Sequence, residues 1–92
     1  MFKPNPKAQV ELKFVELFGR GRVVKSMGRR ISPDEARRAG LKCTSRDGLY
    51  VTDLFVDGLQ FATAADRDWR VAYKKLKIEL EKLYADGSMV QS

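Results

Sequence analysis

From Leu49 to Ala62 the chain reads LYVTDLFVDGLQFA, which is two strand-like segments separated by the turn dipeptide Asp57-Gly58. A second turn dipeptide, Asp47-Gly48, precedes the first segment. Turn dipeptides that bound a run of about eight residues are typical of strands. We therefore predict a strand over Leu49–Val56, a hairpin partner over Leu59–Ala62, and an antiparallel sheet as the centre of the fold.

The segment after this hairpin predicts the longest helix of the chain. Thr63 is a candidate N-cap, the helical pattern runs from Ala64 to about Ala85, and Gly87 is a candidate end. At about 100° per residue, seven large or apolar side chains fall on one face. We expect that face to pack on the sheet. Its members are Trp69, Ala72, Tyr73, Leu76, Leu80, Leu83 and Tyr84.

Ser32-Pro33-Asp34-Glu35 predicts the start of a short helix before the central hairpin. Serine at the N-cap accepts a hydrogen bond from the N3 amide, and proline is favourable at N1. The helix is predicted from Pro33 to Ala39, closed by Gly40. Its two acidic residues lie in the first turn, where the helix dipole stabilises negative charge.

The N-terminal third predicts a further hairpin. Val10, Leu12 and Phe14 alternate with polar residues, which indicates a strand over Val10–Leu17. A glycine-rich turn over residues 18–22 would join it to a second strand that begins at Val23 and ends before Gly28.

These elements together predict a single domain over residues 1–92 with an α+β fold. The predicted architecture is a small antiparallel sheet of three to five strands, one short helix, and a long C-terminal amphipathic helix packed on the sheet. Prolines near the start predict an irregular arm over residues 1–7. Residues 88–92 are predicted to form a disordered tail.

Positive charge is concentrated between Arg20 and Arg46. This segment contains nine basic and two acidic residues, so its charge of +7 exceeds the net charge of +6 of the whole chain. Seven of the nine are arginine, whose planar guanidinium binds phosphate or carboxylate through two parallel hydrogen bonds. The distribution predicts a surface that binds an anionic partner.

The candidate binding residues form two sets. The first surrounds the predicted N-terminal hairpin, and the second follows one flank of the predicted C-terminal helix, with spacings of three, four and three. Tyr50 and Phe18 are candidates for stacking on a base. The two basic sets are Arg20, Arg22, Lys25, Arg29 and Arg30, and Arg67, Arg70, Lys74 and Lys77.

The leading functional hypothesis is a small non-enzymatic protein whose arginine-rich hairpin contacts the phosphate backbone of nucleic acid or of a ribonucleoprotein complex. The alternative is an inhibitor of the phage or mobile-element type, similar in size and composition to anti-CRISPR proteins. Such a protein would dock on a nucleic-acid-handling complex by protein contacts and block the path of the nucleic acid. An acidic protein surface is a further candidate partner, and a merely solvated arginine-rich surface is the remaining interpretation.

Catalysis is not expected. The chain has no histidine and one cysteine, which excludes the histidine-activated nucleophiles. Glu11-Leu12-Lys13 has the acid-x-lysine spacing of many metal-dependent nucleases, but no acidic residue precedes it. We predict neither a metal site nor a cofactor.

The sequence gives no sign of a membrane span or of the apolar core of a signal peptide, so a cytoplasmic location is expected. Val71, Ile78 and Ala85 lie almost opposite the apolar face of the long helix, seven residues apart. This seam indicates a second contact, either with a loop or with another copy of the chain in a homodimer.

Overall fold

The computed structural model describes residues 5–90, and these residues form three helices and three strands around one antiparallel sheet. The predicted α+β architecture is confirmed, including the short helix and the long C-terminal helix that packs on the sheet. The strand order is the same as the order along the chain. The elements are α1 (Pro6–Phe18), β1 (Val24–Ile31), α2 (Pro33–Arg38), β2 (Leu49–Val56), β3 (Leu59–Asp66) and α3 (Trp69–Val90).

The strand predicted over Val10–Leu17 is wrong, because these residues belong to α1. Val10 and Phe14 are buried, whereas Leu12, which lies between them, is 57% exposed. The buried positions are thus four residues apart, the spacing of one helix face, and the apparent alternation of two is accidental. The predicted N-terminal hairpin does not exist.

Both ends of α1 contain capping signals. The Asn5 side chain accepts a hydrogen bond from the Ala8 amide at 2.8 Å, and Pro6 occupies the first turn. Gly19 ends the helix with a φ of 94°, and its amide donates to the Val15 carbonyl. The glycine-rich segment after Phe18 therefore connects a helix to a strand.

Helical structure extends further towards both termini than the sequence predicts. Pro6 and Lys7, assigned to the irregular arm, lie in α1, and residues 88–90, assigned to the tail, lie in α3. The rest of the predicted arm and tail, residues 1–4, 91 and 92, lies outside the described residues.

β1 passes through Gly28, which was predicted to lie beyond the end of the strand. A side chain at this position would meet the ring of Tyr50 and the hydroxyl of Tyr73. Gly28 pairs with Thr52 of β2, so this glycine marks a close approach of two tyrosines to the backbone and not a break in the strand.

The central hairpin is confirmed, with β2 over the predicted residues and Asp57-Gly58 in the turn, both at positive φ. β3 is longer than predicted and continues through Thr63, so the helix predicted to start at Ala64 is wrong at that end. Asp68 caps α3, since its carboxylate accepts from the Arg70 amide at 2.8 Å.

The main core lies between the sheet and the pair of helices α1 and α3. Four of the seven predicted core residues of α3 are buried and Leu83 packs against them, but Trp69 and Tyr84 are 40% and 43% exposed. The buried members of this core are Val10, Phe14, Leu54, Val56, Ala62, Tyr73, Leu76 and Leu80.

Glu11 ties α1 to β1. One oxygen of its carboxylate accepts from both the amide and the hydroxyl of Ser26, at 2.9 and 3.0 Å. The Ser26 hydroxyl also lies 3.1 Å from the Lys7 carbonyl, and Ser26 is fully buried. The acidic residue of the nuclease-like spacing thus satisfies the polar groups of a buried serine.

α2 covers part of the opposite face of the sheet. It begins as predicted, with the Ser32 hydroxyl accepting from the Glu35 amide at 3.1 Å. Ala36 of α2 packs against Ile31 and Leu49 in a second, smaller core cluster, and Cys43 lies beside this cluster.

Candidate nucleic-acid interface

The structure divides the predicted basic residues between opposite ends of the sheet. Val24 pairs with Val56 beside the turn between β2 and β3, whereas Ile31 pairs with Leu49 at the far end. Lys25 and Arg30, five residues apart on one strand, are therefore separated by about 16 Å along the strand. The first predicted set therefore does not form the single patch that the predicted hairpin would have made.

At the turn end, the exposed residues Arg20, Arg22 and Lys25 lie in or just after the loop that follows α1. The Asp57 carboxylate accepts from the Val23 amide at 3.0 Å and lies 3.9 Å from the Arg22 guanidinium. One of the three cations at this end is thus already beside an acid.

Arg29 points away from α1 and α3, on the side of the sheet that α2 covers. Its guanidinium forms an ion pair with Glu35 of α2 at 2.9 Å. This contact joins the short helix to β1 and leaves Arg29 partly neutralised.

At the other end, three arginines line one hollow of about 510 Å³, which we call the arginine groove. Arg30 comes from β1, and Arg67 and Arg70 come from the turn before α3 and from its first residues. Trp69 lies among them, and the remaining lining residues are polar or acidic. The groove is lined by Arg30, Ser45, Asp47, Arg67, Asp68, Trp69 and Arg70.

Arg30 positions the wall of the groove. Its guanidinium donates to the backbone carbonyl of Arg67 at 3.0 Å and to that of Asp47 at 3.5 Å. The same guanidinium lies 6.0 Å from the centre of the Tyr50 ring. Arg30 therefore joins the loop before β2 to the turn before α3.

Asp66 organises the turn that presents Arg67. One of its oxygens accepts from the Asp68 amide at 3.0 Å and the other from the Lys75 ammonium at 2.8 Å. The Lys75 hydrogen bond, with that of the Asp68 amide, holds the pKa of the Asp66 carboxyl below its ordinary value. Both oxygens of this carboxylate are therefore hydrogen-bonded within the fold, and they hold the turn from which Arg67 projects.

Trp69 supplies an exposed aromatic surface in the arginine groove. Its ring is 40% exposed, and the Arg70 guanidinium lies over it at 5.4 Å from the ring centre. The rings of Trp69 and Tyr73 are nearly perpendicular, with 6.2 Å between their centres. The sequence predicts this tryptophan in the core, and its exposure at the surface corrects that prediction.

A basic stripe of α3, which we define as Arg70, Lys74 and Lys77, extends the arginine groove. These residues also line a smaller hollow of about 230 Å³ beside Pro6 and Gln9 of α1. The Lys77 ammonium donates to the Gln9 side chain at 3.3 Å. Arg67, which was assigned to the same helix flank, precedes the helix but lies next to the stripe through the groove.

No ion pair within 4.0 Å joins the cations of the groove and the stripe to any carboxylate of residues 5–90. These cations are Arg30, Arg67, Arg70, Lys74 and Lys77. Their charge is therefore available to an external anion, unlike that of Arg29 and Arg22.

Tyr73 lies below the arginine groove and links it to the core. Its ring is 6.0 Å from that of Tyr50, and it is 3% exposed. Burial, together with a hydrogen bond to Tyr50, raises the pKa of the Tyr73 hydroxyl to about 12.

This pKa predicts a loss of stability at alkaline pH. Because the unfolded chain releases this proton near its ordinary pKa of 10.0, the folded state is favoured below that pH, and the advantage is lost as pH rises towards about 12. We expect the free energy of unfolding, measured by urea denaturation, to fall over this interval. Tyr73→Phe is the control, because it removes the titrating hydroxyl and keeps the buried ring. An equal decline in both proteins would contradict the assignment.

The seam predicted for self-association is exposed: Val71 is 37% and Ile78 48% accessible, and Ala85 is also exposed. Homodimer formation through this seam stays a prediction.

None of the helices within residues 5–90 is both long enough and apolar enough to cross a membrane.

The chain was compared with protein-family models, with curated protein sequences and with solved structures, and none of the three comparisons gave a match.

Proposed function

We propose that this protein binds nucleic acid, without catalysing a reaction on it, through the arginine groove and the basic stripe. The observation that supports the proposal is the grouping of five cations, none within ion-pair distance of a carboxylate of residues 5–90, around one exposed tryptophan. Guanidinium groups bind phosphate oxygens in pairs, and ammonium groups add positive charge along the track.

The length of this surface also suits a polymer. Arg70 belongs to both hollows, so the groove and the stripe form one continuous path from β1 to the N-terminal half of α1. Arg70 and Lys77 are seven residues apart on a helix, which is about 10 Å. Successive phosphates of a strand could occupy such a path, whereas a single small anion would need only one end of it.

The phosphate contacts originally expected from the N-terminal hairpin are therefore assigned to the other end of the sheet. Of the first predicted set, only Arg30 remains in the site, where it positions the groove. The cations at the turn end, Arg20, Arg22 and Lys25, are separated from Arg30 by most of the length of β1. Replacing these three cations changes the net charge of the molecule without altering the groove or the stripe, so they provide a control for the effect of net charge.

The salt dependence of binding tests this function. A fluorescently labelled single-stranded or duplex oligonucleotide of about 15 nucleotides should bind at low salt, with log affinity falling linearly against log salt. With three or four phosphate contacts, the expected slope is about −2 to −4. Fluorescence anisotropy measures it directly. Absence of binding to either oligonucleotide at low salt would overturn the proposal.

A second candidate function is docking on a protein complex as an inhibitor. It is favoured by a cluster of exposed aromatic rings at the turn end of the sheet, formed by Phe18, Phe61 and Tyr84. Phe18 contacts Phe61 and Tyr84 at 5.3 and 5.5 Å between ring centres, and all three are 37–43% exposed. Exposed aromatic residues beside arginine, here Arg20, are typical of protein interfaces.

A capture experiment with matched variants tests the second candidate. A protein partner should be retained from cell lysate after nuclease treatment and should be lost with Tyr84→Ala. The same partner should still be retained by Lys74→Ala, which alters only the basic stripe. Loss of all captured protein after nuclease treatment would contradict docking through this aromatic cluster.

A further inference from the structure

We infer that the arginine groove holds an unpaired nucleotide, with its base on Trp69, so that the protein prefers single-stranded over duplex nucleic acid. This inference rests on the proposed function and specifies which form of nucleic acid the site takes. It depends on two properties of the groove: a flat exposed surface and a mixture of charges.

The flat surface consists of an indole and a guanidinium. Trp69 is 40% exposed at the start of α3, although Ala72 and Tyr73 of the same helix are buried. The Arg70 guanidinium lies over its ring. Bases of single strands stack on aromatic rings and on guanidinium planes alike, whereas bases inside a duplex present only their edges.

The charges of the groove suit a nucleotide better than a bare phosphate. Three arginines line the hollow, but the acidic residues Asp47 and Asp68 line it too. Asp68 caps α3. Asp47 is exposed, and a carboxylate there repels phosphate but accepts hydrogen bonds from the amino and imino groups of a base. A ligand with a phosphate at one end and a base at the other satisfies both kinds of group.

An unpaired base reaches the ring of Trp69 more readily than a base of a duplex. Trp69 lies in a hollow between the loop before β2 and the first turn of α3, and Arg30 bridges those two walls through the Arg67 and Asp47 carbonyls. A base must leave its stack to enter such a hollow, and the energy for this is least when the base is already unpaired. The basic stripe then accepts the phosphates of the neighbouring nucleotides.

Tryptophan fluorescence can detect this contact without an added label, because Trp69 is the only tryptophan of the chain. Titration with a thymine oligodeoxynucleotide, a uracil oligoribonucleotide and a DNA duplex of equal length should show strong quenching by the single strands only. The two single strands distinguish DNA from RNA as the source of the nucleotide. Stacking of one base contributes a factor of roughly ten or more to affinity.

Trp69→Leu should therefore weaken single-strand binding about tenfold, measured by anisotropy of labelled oligonucleotides, while duplex affinity and the salt slope stay unchanged. Tyr84→Leu is the matched control, since Tyr84 is an aromatic residue of the same helix with nearly equal exposure. Unchanged circular dichroism confirms that each variant folds.

The outcomes separate this inference from the proposed function. If single strands and duplex bind with equal affinity and without quenching, nucleic-acid binding stands and the stacking of a base on Trp69 is overturned. If neither binds at low salt, both proposals are overturned. Equal losses in Trp69→Leu and Tyr84→Leu would also contradict a specific role for Trp69.

Discussion

Simultaneous replacement of Arg67, Arg70 and Lys74 by alanine is expected to weaken nucleic-acid binding by about a hundredfold at low salt. Each of these side chains is exposed, and none has a carboxylate of residues 5–90 within ion-pair distance. Their positive charge is therefore not required by the fold, and its removal should lower affinity without lowering the unfolding temperature. The slope of log affinity against log salt should become shallower by about 2 to 3.

The matched control removes the same charge from the other end of the molecule. Arg20→Ala, Arg22→Ala and Lys25→Ala together also lower the net charge by three, but these positions lie at the turn between β2 and β3. If only the total charge matters, the two triple variants will lose affinity equally. In that case the arginine groove is not a site, and binding is a general property of a basic protein.

Phe14→Ala should lower the free energy of unfolding by about 3–5 kcal/mol, whereas Leu12→Ala should change it by less than about 1 kcal/mol. Phe14 is 2% exposed and contacts the rings of Phe18 and Phe61 at 4.8 and 5.4 Å. Leu12 is 57% exposed on the same helix. Urea denaturation followed by circular dichroism measures both values.

This pair of variants also tests whether the segment that contains Leu12 and Phe14 is a helix or a strand. In a strand, Leu12 and Phe14 would share one face, and both substitutions would remove buried surface. In α1 they point in different directions, and alanine is favourable at each position for helix propensity. Similar losses for the two variants would therefore contradict the helix and the packing of α1 against α3.

The central hairpin was predictable because its signals are local. Two Asp-Gly turns bound a strand of fixed length, and the capping pattern at Ser32 marks α2 with equal clarity. The buried stripe of α3 was also predictable at Ala72, Tyr73, Leu76 and Leu80, since helical periodicity does not depend on where the helix starts.

The N-terminal helix was not predicted because a short apolar pattern fits two periods. Val10, Leu12 and Phe14 satisfy a spacing of two, and Val10, Phe14 and Leu17 satisfy a helical face. The deciding signal was Asn5-Pro6, an N-cap followed by proline at the first helical position, which the sequence interpretation treated as an irregular arm. The cap of α3 was likewise placed at Thr63, although Asp68 provides it.

All five cations of the candidate site were among the predicted binding residues, but their grouping around Trp69 could not be predicted, because it depends on where strands end. Arg30 and Arg67 are 37 residues apart in the chain and meet through a hydrogen bond from a side chain to a carbonyl. The position of Trp69 at the surface follows from α3 starting five residues later than predicted, which places this side chain at the first residue of the helix and not in its second turn.

The contact between Glu11 and Ser26 affects where a further strand can be added to this sheet. β1 and β3 are its two outer strands, and outer strands can accept an extended segment of another chain. At the middle of β1 the outward amide of Ser26 is already bound by the Glu11 carboxylate. Along β3, the small residues 63–65 instead line an open hollow of about 440 Å³ together with Ile78. A segment that pairs with β1 must therefore displace the Glu11 carboxylate from the Ser26 amide, whereas β3 is the outer strand that lies beside the exposed seam of α3.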